Sequence, residues 1–163
     1  IDNGKEFNIS NCGMLAMDTM RMESGYLHWG HDMSPEENQY QAGLQFAISY
    51  KKNIDFIGKQ ALLKIKDQKP TKKLLMFTLD DSKPGYPLML HDEPIYFNDK
   101  IIGRTTSGNY SFNFNKNLAY GYVASNYSTQ TLKDKSIFIE IEKKKFAATV
   151  LTTPLNNKNL KNT

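Results

Sequence analysis

Between residues 21 and 32 the sequence RMESGYLHWGHD places an arginine, a glutamate, two histidines and an aspartate within twelve positions, with Tyr26, Trp29 and two glycines among them. Imidazole nitrogen and carboxylate oxygen are competent ligands for zinc or non-haem iron, so His28-x-x-His31-Asp32 first reads as part of a metal centre. The spacing argues otherwise. Gly25 and Gly30 bracket the histidines and break the helical periodicity that would put them on one face. Further ligands would have to come from His91 or distant acids, and no cysteine pair or His-Glu-x-x-His pattern supplies them. No metal site is expected.

Nucleophilic chemistry finds no better footing. Cys12 is the only cysteine, it sits at the start of a predicted helix, and it reads as a small buried side chain. A Gly-x-Ser-x-Gly elbow is absent. Gly103-Arg104-Thr105-Thr106-Ser107-Gly108 looks like a phosphate-cradling loop but lacks the Gly-Lys-Ser ending and follows an apolar run. It reads instead as a strand with glycine where backbones crowd. No catalytic residue is assigned.

The elements that must position the 21–32 stretch divide near residue 70. A helix is expected over about 12–24, capped by Asn11 and stopped by Gly25. Arg21 and Glu23 are two apart on it, so one is expected on the core side and the other outward. Ser34-Pro35-Glu36-Glu37 predicts a turn or short helix start. AGLQFAISY alternates Leu44, Phe46 and Ile48 like a half-buried strand, and FIGKQALLKIKD reads as a helix with Ala61, Leu62 and Ile65 on one side. Beyond Gln68-Lys69-Pro70-Thr71 come LLMFTLD, PIYF, KIIGRTTS, NLAYGYV, SIFIEIE and FAATVL, separated by turn residues. This pattern predicts antiparallel hairpins closing into a small sandwich or barrel. The first part holds too few apolar elements to close a core unaided, and it is expected to pack on the second part or to end a larger domain.

The totals bound the partners. A chain of 163 residues that is 39% hydrophobic is too apolar for a disordered segment, and no apolar run reaches the roughly 18 residues of a membrane span. It reads as soluble and globular. The charge of +4 comes from short lysine clusters that read as turns and solvated faces, with Arg21 and Arg104 the only arginines, which argues against a nucleic-acid surface and leaves an anionic small molecule as the lesser alternative. With one cysteine and no signal features in IDNGKEFNIS, a reducing, cytoplasmic-type compartment is expected.

The order of residues says more than their chemistry. LAMDTMRMESGYLHWGHD, the Phe56-Ile57-Gly58-Lys59-x-Ala61-Leu62 segment and the Ile102-Gly103-x-x-Thr106-Ser107-Gly108 element, in that order, resemble the C-terminal portion of the tetrahydrofolate-dependent aminomethyltransferase family, which includes the glycine cleavage T-protein. Gly25-Tyr26-x-His28-Trp29 and Phe-Ile-Gly-x-x-Ala-Leu are most similar to the folate-binding halves of sarcosine and dimethylglycine dehydrogenases.

The resemblance implies an α+β architecture, with residues 1–69 ending the folate-binding middle domain and residues 70–163 forming a C-terminal antiparallel β-barrel. In the family a folate nitrogen attacks an aminomethyl or iminium carbon, with an upstream aspartate steering the charge. Nothing here matches that aspartate or the Gly-Tyr-Thr-Gly-Glu segment, so the chain resembles a part that binds folate and closes the pocket without turning over alone. The expected partners are folate and the upstream part of the same enzyme, with FAD only in a separate upstream domain.

The resemblance assigns Glu23 to the pteridine, because a carboxylate can accept two parallel hydrogen bonds from adjacent ring N–H groups. Lys51 or Lys52 would meet the glutamyl tail as a point charge. Arg21 belongs to the same element, is counted with Glu23, Lys51 and Lys52 among the folate-binding residues, and is expected to pair with Asp32, with Trp29 packed between the two parts. A non-catalytic barrel module for ligand or protein interaction is the rival reading.

Overall fold

The computed structural model describes residues 1–52 and 54–155. All six apolar runs beyond residue 70 form strands: β1 (Lys72–Leu79), β2 (Pro94–Phe97), β3 (Lys100–Ser111), β4 (Lys116–Ala124), β5 (Ile137–Ile141) and β6 (Lys144–Leu151). They pair in the order β1-β4-β3-β2-β5-β6, antiparallel throughout, and β6 returns to β1 to close a barrel. With the helices before it the chain is α+β, as expected. The expected tail of the barrel segment beyond Leu155 lies outside the described residues.

Period-two alternation explains the closure. In β5 and β6, Ile137, Ile139, Ile141, Phe146, Ala148 and Val150 are buried while the residues between them face outward or part-way out. Each of the larger ones, the isoleucines, Phe146 and Val150, contributes about 1.5–3 kcal/mol when fully buried. β4 departs from the alternation, being buried from Asn117 to Val123. Its Ala119 and Val123 join Phe77, Leu79 and Ile95 inside the barrel, whereas Leu118 and Tyr120 join Met22 and Met76 in a second cluster outside it. Both faces of β4 are therefore covered. At Gly103 a Cβ would lie 1.9 Å from the Tyr122 carbonyl oxygen, so the 103–108 stretch is a crowded barrel strand.

The outer cluster is capped by helix α1 (Met14–Glu23), which begins after Gly13 rather than Asn11. It stops where expected. The Gly25 amide donates to the Met22 carbonyl and the Tyr26 amide to the Arg21 carbonyl, the paired closure that needs a residue at positive φ, here +82° at Gly25. Pro154 from the far end of the chain packs on that glycine, leaving no room for a Cβ. The outward side of α1 exposes Met14, Leu15, Met17 and Met20, and Cys12 just before it is exposed rather than buried.

A short helix α2 (Lys59–Ile65) falls within the predicted FIGKQALLKIKD helix, and α3 (Thr129–Leu132) follows β4. The predicted strand over AGLQFAISY does not form. Gln45–Ala47 is a single 3-10 turn, and Phe46 is 82% exposed. Strand backbone needs a neighbouring ladder to satisfy its amides and carbonyls, and the barrel offers none because it is already closed. The segment turns on itself instead.

Candidate functional site

Helix α1 lies along β3, and its last turn delivers both charged residues of the Arg-x-Glu element to that strand. The expectation that one would face outward fails, because two serines of β3, Ser107 and Ser111, engage one each. Thr19 Oγ1 donates to the Tyr110 carbonyl at 3.2 Å, and Asn109 Nδ2 donates to the Leu15 carbonyl at 3.3 Å. Arg21 then reaches Ser107, and Glu23 reaches Ser111.

Glu23 is 1% exposed. Its two oxygens accept from Ser111 Oγ at 2.5 Å and from Asn113 Nδ2 at 2.8 Å. It has no arginine partner among its hydrogen bonds. It also borders a mainly apolar crevice of about 440 Å³ whose walls include Met20, Met89, Phe112, Asn113 and Asn117.

Arg21 does pair with Asp32, as expected. Its Nη1 donates to Asp32 Oδ2 and, at 3.3 Å, to the Tyr26 carbonyl; Nε donates to Asp18 at 2.7 Å and Nη2 to Ser107 Oγ at 2.8 Å. A guanidinium has five N–H groups, so one is left for any further acceptor. Asp32 is wholly buried and also accepts from the His28 amide at 2.9 Å and from Thr106 Oγ1 at 2.6 Å. Behind it, the Tyr122 hydroxyl donates to the Asp32 carbonyl at 2.9 Å. Burial, reinforced by the charges of Glu37 and Asp32, pushes this phenol above its ordinary value, so it stays protonated and donating.

In front of Asp32 the loop turns its rings to solvent. Trp29 is 63% exposed instead of packed between the two parts. The His28 and His31 rings stack with centroids 4.6 Å apart, and His91 arrives from the β1–β2 connection with its ring centroid 6.2 Å from that of His31. The Asp32 oxygens are already taken by Arg21, Thr106 and the His28 amide. Among the described residues no group of three His, Cys, Asp or Glu side chains is arranged to hold a metal ion.

Lys51 and Lys52 are exposed. Lys52 borders a separate apolar groove with Leu44, Ile48, Ile54 and Phe56, and neither lysine lines the Glu23 crevice. The structure thus unites Arg21 and Glu23 on β3 and leaves the two lysines apart from them. Sequence reasoning missed Ser107, Ser111, Asn113 and Tyr122 as their partners. The Thr106-Ser107 dipeptide stood inside a quoted motif, which was the one available signal.

A solved structure of the glycine cleavage system aminomethyltransferase T from Bartonella henselae superposes with a TM-score of 0.73 at 24% identity, covering 86% of this chain and 38% of that one. The closed barrel with the preceding segment clasped to its outer wall is thus a T-protein-type fold. The family profile of the glycine cleavage T-protein C-terminal barrel domain matches residues 72–156, and that of the GCVT N-terminal domain matches residues 1–52. This chain belongs to the glycine cleavage T-protein family.

Among its relatives, human mitochondrial dimethylglycine dehydrogenase is 36% identical over 154 residues, 93% of this chain and 17% of that protein. An aminomethyltransferase of Symbiobacterium thermophilum is 37% identical over 126 residues, 76% of this chain and 32% of that protein. The mouse pyruvate dehydrogenase phosphatase regulatory subunit is 36% identical over 121 residues, 74% of this chain and 14% of that protein. The chain therefore spans less than half the length of each of these proteins.

Proposed function

We propose that this chain is the C-terminal part of a tetrahydrofolate-dependent one-carbon transfer enzyme of the sarcosine or dimethylglycine dehydrogenase type, contributing folate binding and pocket closure. The observation that carries the reading is the alignment with dimethylglycine dehydrogenase over 93% of the chain, which takes in the clasped loop as well as the barrel. Residues 1–69 then end the folate-binding domain, and the barrel from residue 70 onward closes over it. The exposed Met14, Leu15, Met17 and Met20 on α1 suit burial against the rest of that domain, the upstream part of the same enzyme.

The residues present suit one flank of a folate site. The crevice beside Glu23 offers apolar walls in Met20, Met89 and Phe112, and a carboxylate with lone pairs left after Ser111 and Asn113 have donated. Bound tetrahydrofolate supplies the nucleophilic nitrogen that takes the one-carbon unit. In this reading Glu23 orients the pteridine, Arg21 holds the loop that follows α1 through Asp32, and Lys51 or Lys52 meets the tail carboxylates. The glycines at 103 and 108 lie within β3 rather than in a turn entering a helix, so they do not form a dinucleotide-binding turn. FAD, where the parent protein uses it, belongs to another domain. The dimethylglycine dehydrogenase relative is named mitochondrial, so the proposed reducing compartment extends from the cytoplasm to that organelle.

The test is calorimetric titration with 5-formyltetrahydrofolate. The 163-residue chain alone should bind weakly, and binding should strengthen when the remainder of the N-terminal domain from an aminomethyltransferase is joined ahead of it. Indifference in both settings would favour the second reading, a non-catalytic module. That reading has one specific observation behind it, a relative named as a regulatory subunit.

A further inference from the structure

The loop that carries Tyr26, His28, Trp29 and His31 has little regular structure of its own, yet it is tied at one point from three directions. Asp32 accepts from Arg21 on α1, from Thr106 on β3 and from the His28 amide of its own loop, while Tyr122 on β4 donates to its carbonyl. Each hydrogen bond to a buried carboxylate is charge-assisted, which strengthens it and fixes its direction.

β3 is irregular where it meets this carboxylate. Thr105 pairs with Gly121 and Ser107 with Tyr120, so Thr106 is an extra residue, a β-bulge. On a regular strand neighbouring side chains point to opposite faces. Here Thr106 reaches Asp32 at 2.6 Å while Ser107 reaches Arg21 at 2.8 Å, so adjacent residues serve the two halves of one ion pair. Bulges re-aim side chains in this manner.

We propose that Asp32, seated by the Thr106 bulge, is the positioning residue through which the barrel sets the shape of the 26–31 loop, and that this loop is part of the folate-facing wall. The second half rests on the function proposed above; the first does not. Asp32 touches no ligand in this scheme. It acts through the His28 amide and through Arg21.

Amide hydrogen exchange on the 163-residue chain reads the clasp directly. In Asp32→Asn, which keeps the size but turns an acceptor into a donor, exchange at His28 should accelerate about tenfold while amides of β5 stay within about twofold. Thr106→Val removes a single donor without changing shape, and should accelerate His28 about threefold. Should Asp32→Asn loosen the whole barrel, Thr106→Val decides alone. Unchanged exchange at His28 in Thr106→Val overturns the positioning role. The same variants, titrated with 5-formyltetrahydrofolate after joining to the N-terminal domain, should bind at least about fivefold more weakly. A freed loop with undiminished binding would leave the clasp standing and remove the loop from the folate wall.

Discussion

Glu23→Gln separates a structural carboxylate from a binding one. In the folded chain the carboxylate accepts two charge-assisted bonds, from Ser111 and Asn113, at 1% exposure. Glutamine keeps one acceptor and presents an amide where the other stood. Asn113 can turn its own amide end for end and Ser111 can rotate its hydroxyl, so both contacts survive as neutral bonds. Exchanging a charged for a neutral partner lowers each bond by about 1 kcal/mol, or about 2 kcal/mol for the pair. For a chain of this size that corresponds to a fall in melting temperature of about 4–8 °C. Glu23→Ala should lose about 3–5 kcal/mol, because two buried polar groups are left without a partner and a cavity opens. Thermal and urea unfolding followed by circular dichroism give both numbers. A Glu23→Gln protein within 0.5 kcal/mol of the parent, on the order of an exposed substitution, would refute the claim that these bonds hold α1 to β3. Binding of 5-formyltetrahydrofolate by the joined protein is the second readout, and affinity that survives Glu23→Gln would take Glu23 out of the folate site.

Three other outcomes can be checked on the same chain. Gly25→Ala forces an L side chain into positive φ, about 1–2 kcal/mol, and drives its Cβ to 2.4 Å from Pro154. Gly43→Ala, at φ +75° with nothing within 4 Å, should show the backbone strain alone, so equal losses for the two would remove Pro154 from the account. Gly103→Ala should be destabilised by about 3 kcal/mol or more, since the new Cβ meets the backbone of β4, and normal denaturant unfolding of that variant would contradict the observed strand spacing. Burial pushes the Glu37 carboxyl up, but hydrogen bonds from Lys72 and Ser34 and the Lys72 charge outweigh it, leaving the group below its ordinary value. A lowered folded-state value means stability that is present above the unfolded value, about 4.3, and is lost as pH falls through the folded one. That acid-side slope should flatten in Glu37→Gln, as measured by unfolding between pH 6 and about 2.

The barrel was legible because its signal is local. Each strand is a short apolar run bounded by its own turn residues, alternating in SIFIEIE and continuous in LLMFTLD, and neither needs knowledge of its neighbours to declare itself. AGLQFAISY shows the limit of that logic, since Leu44, Phe46 and Ile48 alternate well but no strand is on hand to pair with them. The Arg21–Asp32 pair was foreseeable from eleven residues of separation within one motif. Glu23's partners lie 88 and 90 residues away, and no spacing rule connects them. The bulge at Thr106 escaped for a different reason: it is a mismatch between two strands, and neither sequence records it alone. Trp29 was misjudged because size suggested burial, whereas the loop it sits on is held from behind by a carboxylate and has no need of an aromatic wedge.

Because β6 returns to β1, every strand of the barrel has a neighbour on both sides among the described residues, and no whole strand stands at an open edge. That leaves little room for self-association by addition of a strand, and the methionine-rich flank of α1 is the exposed apolar surface to test instead. Replacing Met14, Met17 and Met20 with glutamine should give a monodisperse preparation whose sheet signal in the far ultraviolet is untouched, separating colloidal behaviour from folding in a single experiment.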